Sequence, residues 1–376
     1  MNIPNYFLAD LPPEATLSGQ MIADACLTLK RNRAQYLAQR ATQSLIKTLV
    51  DAGQSWLDPE FHFRKLALAA DPRITGFPPA TLATGLDALF KQFTRENFEA
   101  LIIQEFAHLK RLDELSATNA ESQAQRAAMV HGPELVAHIG AGNLPVPQLM
   151  NMTLGLLARA SQFVKCASGG AFIPRLYAHS LYELEPKLGA CIEVAEWPGG
   201  TVALEEPLFR ESDLVTATGA DETLGEIRRR LPLRTRFLGY GHRVSFGYVT
   251  HEVLTRLNTP RVITRAVTDL TAWNQHGCLS PHVFYVEHGG HVSVEQFAEA
   301  LAAELDQREG THPRGHVELH TATAITKRRG LYEVRAAHSS ETRVWSSKDS
   351  TAWTVVYESD PRFQVSCLNR FVYVKG

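Results

Sequence analysis

The sequence predicts an α/β chain with a mainly helical N-terminal region, a parallel-sheet domain after it and a second α/β domain at the end. Three observations carry this. Apolar residues recur at intervals of three and four from about residue 18 to 130, the spacing of amphipathic helices. Short strand-like runs alternate with helix-like segments from 131 to 248, the pattern of βαβ units. From 249 to 376, strand-like runs surround an amphipathic helical stretch. A chain of 376 residues also exceeds the size at which a single core stops growing, so more than one domain is expected.

In residues 1–130, Leu86, Leu89, Phe90 and Phe93, then Leu101, Ile102 and Phe106, mark helical faces. "FPPATLATG" breaks the pattern, and "ELSATNAESQAQRAAM" reads as a polar, solvated connection. In residues 131–248 "ELVAHIGAGNLP" is an apolar run closing on Gly-x-Gly and "VPQLMNMTLGLLARASQ" is helix-like. "FVKCAS" reads as a strand, "RLYAHSLYELE" as a helix, "CIEVAEW" and "LVTATGA" as strands, "ETLGEIRRR" as a helix and "TRFLGYG" as a strand. Ligands of parallel sheets bind at the carboxyl ends of the strands, so "GAGNLP", "KCASGG", "TGADE" and "GYGHR" are expected along one edge. In residues 249–376 "VITRAVTDLTAWNQHGC" is read as helical up to the cysteine. "HVFYVE", "GLYEVRAA", "TAWTVVYES" and "RFVYVKG" are read as strands, and "SVEQFAEALAAELDQRE" as a helix with Ser293 as its N-cap and Glu295 in its first turn.

Composition excludes some partners. Lys plus Arg number 38 against 40 Asp plus Glu, so there is no general electrostatic case for nucleic acid or an anionic membrane surface. No segment approaches the ~18 consecutive apolar residues of a membrane span, and the N-terminus lacks the charged and apolar regions of a secretory signal. A cytoplasmic protein is expected. The 5 cysteines (Cys26, Cys166, Cys191, Cys278, Cys367) are scattered, with no C-x-x-C, which argues for reduced thiols rather than a disulfide framework or zinc site.

Gly140 and Gly142 supply two glycines of a dinucleotide fingerprint, but Pro145 stands where a third belongs, so a tight strand-to-helix turn is an equal reading. Thr218, Gly219 and Ala220 offer backbone N–H groups at another helix start, or an ordinary capped helix. Lys165 closes a strand, placed for ribose hydroxyls or phosphate if it is not simply solvated. Ser168, small and neutral, leaves room for a 2′-phosphate where an acid would select a free 2′-hydroxyl, which points to NADPH. His312, His316 and His320 include an i, i+4 pair, but Val317 replaces the glutamate of H-E-x-x-H and "VELHTATAI" reads as a strand, so no metal is expected. "IRRRLPLRTR" reads as the solvated basic end of a helix, with a landing place for an anionic coenzyme tail as the alternative. Cys278, beside Gly277 in "WNQHGCLSPH", is either core filling or a thiolate nucleophile.

"GAGNLP", "FVKCAS", "TATGADE", "GYGHR" and "WNQHGCLSP", in this order, resemble the aldehyde dehydrogenase superfamily and more closely the fatty acyl-CoA reductase family, from about residue 130 onward. The resemblance implies an aldehyde-dehydrogenase-like fold with a Rossmann-type cofactor domain and a catalytic domain. It implies Cys278 as nucleophile, Asn143 as an oxyanion-hole amide beside the cysteine's own N–H, and Lys165 as the ribose-binding lysine. Thr218, Gly219 and Ala220 match the phosphate-side turn, and Glu358 matches the glutamate at the nicotinamide ribose. Hydrolytic aldehyde dehydrogenases carry a glutamate base before a Gly-Gly-Lys turn, whereas "FLGYGHR" has no carboxylate, which favours transfer to a reductant or thiol over hydrolysis. His242 handles protons or serves the turn. Family members continue past "LNRFVYVK", so a shortened catalytic domain is expected. The implied function is NADPH-dependent reduction of an acyl-CoA or other acyl thioester to an aldehyde, in an oligomer, with an acyl-transferring partner protein among the candidate donors. A thiol acyltransferase without redox chemistry and a non-catalytic subunit are the alternatives.

Overall fold

The computed structural model describes residues 3–12 and 14–376. The chain forms two compact units, one from residues 1–75 and 86–241, the other from 76–85 and 242–376.

The first unit is built on five parallel strands: β1 (Leu135–Ile139), β2 (Ser161–Cys166), β3 (Ile192–Glu196), β4 (Leu214–Thr218) and β5 (Arg236–Tyr240). Their order is β3-β2-β1-β4-β5, with every neighbouring pair parallel. Every residue of β1 and β2 is buried, which is why these runs carry no polar alternation. The chain builds outward from β1 to β3, then crosses back to place β4 on the other side of β1. That reversal creates a crevice at the carboxyl ends of β1 and β4, where ligands of such sheets bind. The N-terminal helix Gly19–Asn32, whose Ser18 Oγ accepts the Met21 N–H, packs against the helix Val202–Glu211. Its Ile22, Cys26 and Leu29 join Leu135, Phe163, Leu208 and Val215 in the core. The helix Thr42–Leu57 is anchored by buried Trp56, whose Nε1–H donates to Ser180 Oγ at 2.8 Å.

A histidine sits inside this sheet. His138, 4% exposed, has Nε2 at 3.0 Å from Gln162 Oε1 and Nδ1 at 2.7 Å from Thr216 Oγ1. The Gln162 oxygen only accepts, so Nε2 carries the proton and Nδ1 accepts from Thr216. Burial pushes its pKa from 6.5 down to about 4. Because the unfolded state binds more protons between those values, stability is complete above pH 6.5 and falls as pH drops toward 4. The loss is about 3 kcal/mol. Denaturant titrations at pH 7 and 4.5 should show this slope in the wild type and a reduced one in His138→Gln; equal slopes would exclude His138 as the cause.

The second unit is built on β6 (Ser245–Val249), β7 (Pro281–Val286), β8 (Thr342–Ser346), β9 (Thr354–Glu358) and β10 (Phe371–Lys375). Their order is β6-β7-β10-β9-β8, parallel except for the antiparallel edge strand β8. Helices Thr259–Thr271 and Val294–Thr311 supply Val267, Leu270, Phe297 and Leu301 to a core with Phe284, Val355 and Val372. Ser293 caps the second helix through a capping box with Gln296, and Glu295 lies in its first turn.

Three expectations change here. The helix before the cysteine ends at Thr271, and left-handed residues follow it. "GLYEVRAA" and most of "VELHTATAI" belong to one helix, Leu319–His338, not to strands. Its inward row is Ile325, Arg329 and Tyr332, and a buried arginine interrupts the apolar period. The Arg329 guanidinium is satisfied by Thr354 Oγ1, Ser350 O, Ser347 Oγ and Trp353 O, while Leu331 and Val334 face solvent. Strands β6 and β8, both sheet edges, add to the expected set.

Candidate active site

In the first unit, three turns leave the carboxyl ends of β1, β2 and β4. The turn after β1 runs through Gly140, Gly142 and Asn143 into the helix Val146–Leu157. A Cβ on Gly140 would lie 2.0 Å from Gln148 Nε2, so any larger residue there would displace the Gln148 amide. Gln148 Nε2–H donates to Ala141 O at 3.1 Å, and its buried Oε1 has no partner among the described residues. A Cβ on Gly142 would meet Ala167 Cβ at 3.3 Å, which brings the first turn against the second.

Lys165, at the end of β2, is 2% exposed rather than solvated. Its ammonium lies 5.9 Å from the Trp197 ring centroid and makes no hydrogen bond or ion pair among the described residues. Desolvation lowers its pKa, with Glu205 and Glu196 opposing. A largely desolvated lysine whose ammonium keeps unused N–H donors suits a polar ligand. Ser168 is exposed in the turn that follows. Glu196, which the sequence reading did not single out, closes β3 beside Cys166, and its two oxygens accept from Gly169 N–H (2.7 Å) and Ala171 N–H (3.1 Å). No local motif announces it, because the contact spans neighbouring strands. After β4, Thr218, Gly219 and Ala220 lead into the helix Asp221–Arg230; Ala220 provides no side-chain cap, and a Cβ on Gly219 would meet nothing closer than Thr223 at 4.0 Å. Gly140, Gly142, Asn143, Lys165, Ser168, Thr218, Gly219 and Ala220 thus share one edge of this sheet.

In the second unit, Cys278 occupies an exposed turn just before β7. Burial pushes the thiols of Cys26, Cys166 and Cys191 up to about 12, which leaves them inert. The Cys278 carbonyl accepts from Ser245 Oγ at 2.7 Å. Before it, Trp273, Asn274 and Gln275 have φ of 50°, 50° and 68°. Left-handed backbone costs roughly 1–2 kcal/mol per non-glycine residue, so packing must impose it. Trp273 is seated on Gly85, where a Cβ would lie 2.1 Å from its ring, and against Phe77. Gln275, fully buried, donates to Pro281 O and Phe371 O and accepts the Phe371 N–H, tying the turn to β7 and β10.

His242 and Cys278 lie at the same, amino, edge of this sheet, since Ser245 pairs with Pro281. His282 sits at the β6–β7 register shift and accepts the Ser366 N–H at Nδ1, so Nε2 carries its proton. Burial, then His242, lowers its pKa. Glu358 is not brought to the cysteine. It ends β9 at the carboxyl edge, four strand residues (about 13 Å) beyond Thr354 at the amino edge. Its carboxylate pairs with Lys375 at 3.2 Å and Arg335 at 3.0 Å.

Residues 37–376 match the family model for acyl-CoA reductase (LuxC). This chain belongs to that family. Its relatives include the long-chain acyl-protein thioester reductase of Vibrio harveyi, 21% identical over 288 residues, 74% of this chain and 57% of that protein. The enzyme of the same description from Photorhabdus laumondii is 22% identical over 173 residues, 45% of this chain and 34% of that protein. The chain thus spans a third to somewhat over half the length of these curated relatives. Among solved structures, a putative aldehyde dehydrogenase PutA from Anabaena variabilis superposes with a TM-score of 0.66 at 15% identity, over 97% of this chain and 75% of that one. An NADP-dependent glyceraldehyde-3-phosphate dehydrogenase from Bacillus halodurans C-125, complexed with NADP, gives 0.65 at 12% identity, over 95% and 73%. The fold of this family member is aldehyde-dehydrogenase-like.

Proposed function

We propose that this chain reduces a long-chain acyl thioester to an aldehyde with NADPH, the acyl group passing through Cys278. The observation that carries this reading is the exposed Cys278 thiol on a turn fixed by buried polar side chains. The thiolate attacks the thioester carbonyl, a new C–S bond forms, and the carrier thiol leaves with the proton that Cys278 gave up. Asn143 and the Cys278 N–H hold the developing oxyanion. His242 is the candidate for holding protons during the exchange. NADPH, when bound, supplies the two-electron reduction that converts the acyl group to an aldehyde. The stretch from Phe237 to Arg243 contains no carboxylate, so the glutamate base that activates water in hydrolytic aldehyde dehydrogenases has no counterpart there.

The first unit fits a dinucleotide. Glycines 140, 142 and 219 admit close backbone approach, the β1/β4 reversal forms the crevice, and Lys165 offers unused donors. Ser168 leaves space for a 2′-phosphate, and the Glu196 carboxylate is already engaged by two backbone N–H groups. Lys165→Ala should weaken NADPH binding about tenfold or more, the scale of a lost charge-assisted hydrogen bond. Titration calorimetry checks this, and unchanged affinity would remove Lys165 from the site. The thiol carrier is coenzyme A or an acyl-carrying partner protein.

The test is absorbance loss of NADPH with acyl-CoA substrates of graded length, with NADH in parallel. Oxidation with aldehyde release, faster with long chains and with NADPH, supports the reading. Acyl transfer to a second thiol with no coenzyme requirement would replace it with a thiol acyltransferase.

A further inference from the structure

Two left-handed stretches meet beside the cysteine turn. Leu368, Asn369 and Arg370, with φ of 58°, 54° and 66°, follow the same unusual path as Trp273, Asn274 and Gln275. Three successive non-glycine residues in this region persist only where the surroundings over-determine them. Here each stretch holds the other. The Asn369 N–H donates to Asn274 O at 3.2 Å, and Asn369 Oδ1 accepts from His276 Nε2 at 3.1 Å.

Arg370 is the anchor of this arrangement. It is 1% exposed, unusual for a guanidinium, and its Nε–H donates to Asn274 Oδ1 at 3.1 Å. Its Nη1 donates to Glu309 at 2.8 Å and to His312 O at 2.9 Å, which offsets the charge. The other end of the Asn274 amide donates to Arg314 O at 2.9 Å, and the Arg314 N–H returns to Glu309. The Asn274 side chain is therefore gripped at both ends, four residues before the cysteine.

We propose that Arg370 is a positioning residue for Cys278: acting through Asn274 and the paired left-handed turns, it fixes the backbone from Trp273 to Gly277 and so the direction in which the thiol and its N–H are presented. This rests on Cys278 being the acyl-accepting nucleophile. The guanidinium fork supplies one arm to Glu309 and another to Asn274, and lysine reproduces only the first.

Arg370→Lys and Arg370→Met in the full chain test this. The first readout is single-turnover transfer of an acyl group from acyl-CoA to Cys278. Arg370→Lys should lower the limiting rate about 10²-fold, the cost of a misplacement near 1 Å, and leave the half-saturating acyl-CoA concentration within about threefold. The second readout is backbone hydrogen exchange, expected to rise about tenfold across 273–280 and stay unchanged across 135–166. Arg370→Met should show both effects more strongly; if it does not fold, Arg370→Lys carries the test. Unchanged rate and exchange in Arg370→Lys would overturn the proposal. Slower transfer with unchanged exchange would also overturn it, since the loss would not pass through the turn. If wild type accepts no acyl group, the reading of Cys278 fails, and the exchange readout alone decides whether Arg370 holds the turn.

Discussion

Cys278→Ala is expected to lower aldehyde formation from an acyl thioester by ~10⁴-fold or more, the scale on which acyl-transfer enzymes respond to loss of their nucleophile. The reason is burial as much as chemistry. Cys26, Cys166 and Cys191 are 0 to 1% exposed with thiols pushed up to about 12, so none of them substitutes for an exposed sulfur on a turn. Their alanine variants should keep the limiting rate within about threefold while losing stability, because each leaves a small cavity in a packed core. A coupled assay of aldehyde release on these variants separates the roles. Residual turnover in Cys278→Ala near the wild-type rate would exclude covalent catalysis at this position.

Asn143→Ala is expected to cost about 10²–10³ in limiting rate, roughly 3–4 kcal/mol, while acyl-CoA saturation changes little. An amide that stabilises charge developing only in the transition state affects turnover more than binding. Alkylation of Cys278 by iodoacetamide has no oxyanion, so its rate should be unaffected. Equal losses in alkylation and turnover would point instead to a disturbed cysteine turn. Loss of binding without loss of turnover would remove Asn143 from the oxyanion site.

The parts of the fold visible in the sequence are those where burial follows a simple rule. Strand β1 is covered on both faces and reads as a mostly apolar run, and the helix Val294–Thr311 announces itself through Ser293 and a regular apolar stripe. The rule fails where a polar residue fills a core position. Arg329, bonded to four oxygens, hides the period of the helix Leu319–His338, and exposed Val334, two residues after buried Tyr332, mimics strand alternation. Edge strand β6 escapes notice because Phe246 and Tyr248 are 58% and 60% exposed. Cys278 stands out as a candidate from its neighbours in sequence, and the structure adds that its thiol is exposed. Arg370, Gln275 and Glu196 do not stand out, since each acts through contacts without a local pattern; Arg370 reaches Asn274 across 96 positions.

The most direct measurement is mass mapping of the wild-type chain after incubation with a long-chain acyl thioester, first without reduced coenzyme and then with NADPH. The account predicts one acyl increment on the peptide containing Cys278, discharged as aldehyde with one NADPH consumed per acyl group. An increment on another residue, or discharge only as free acid with NADPH untouched, would contradict it.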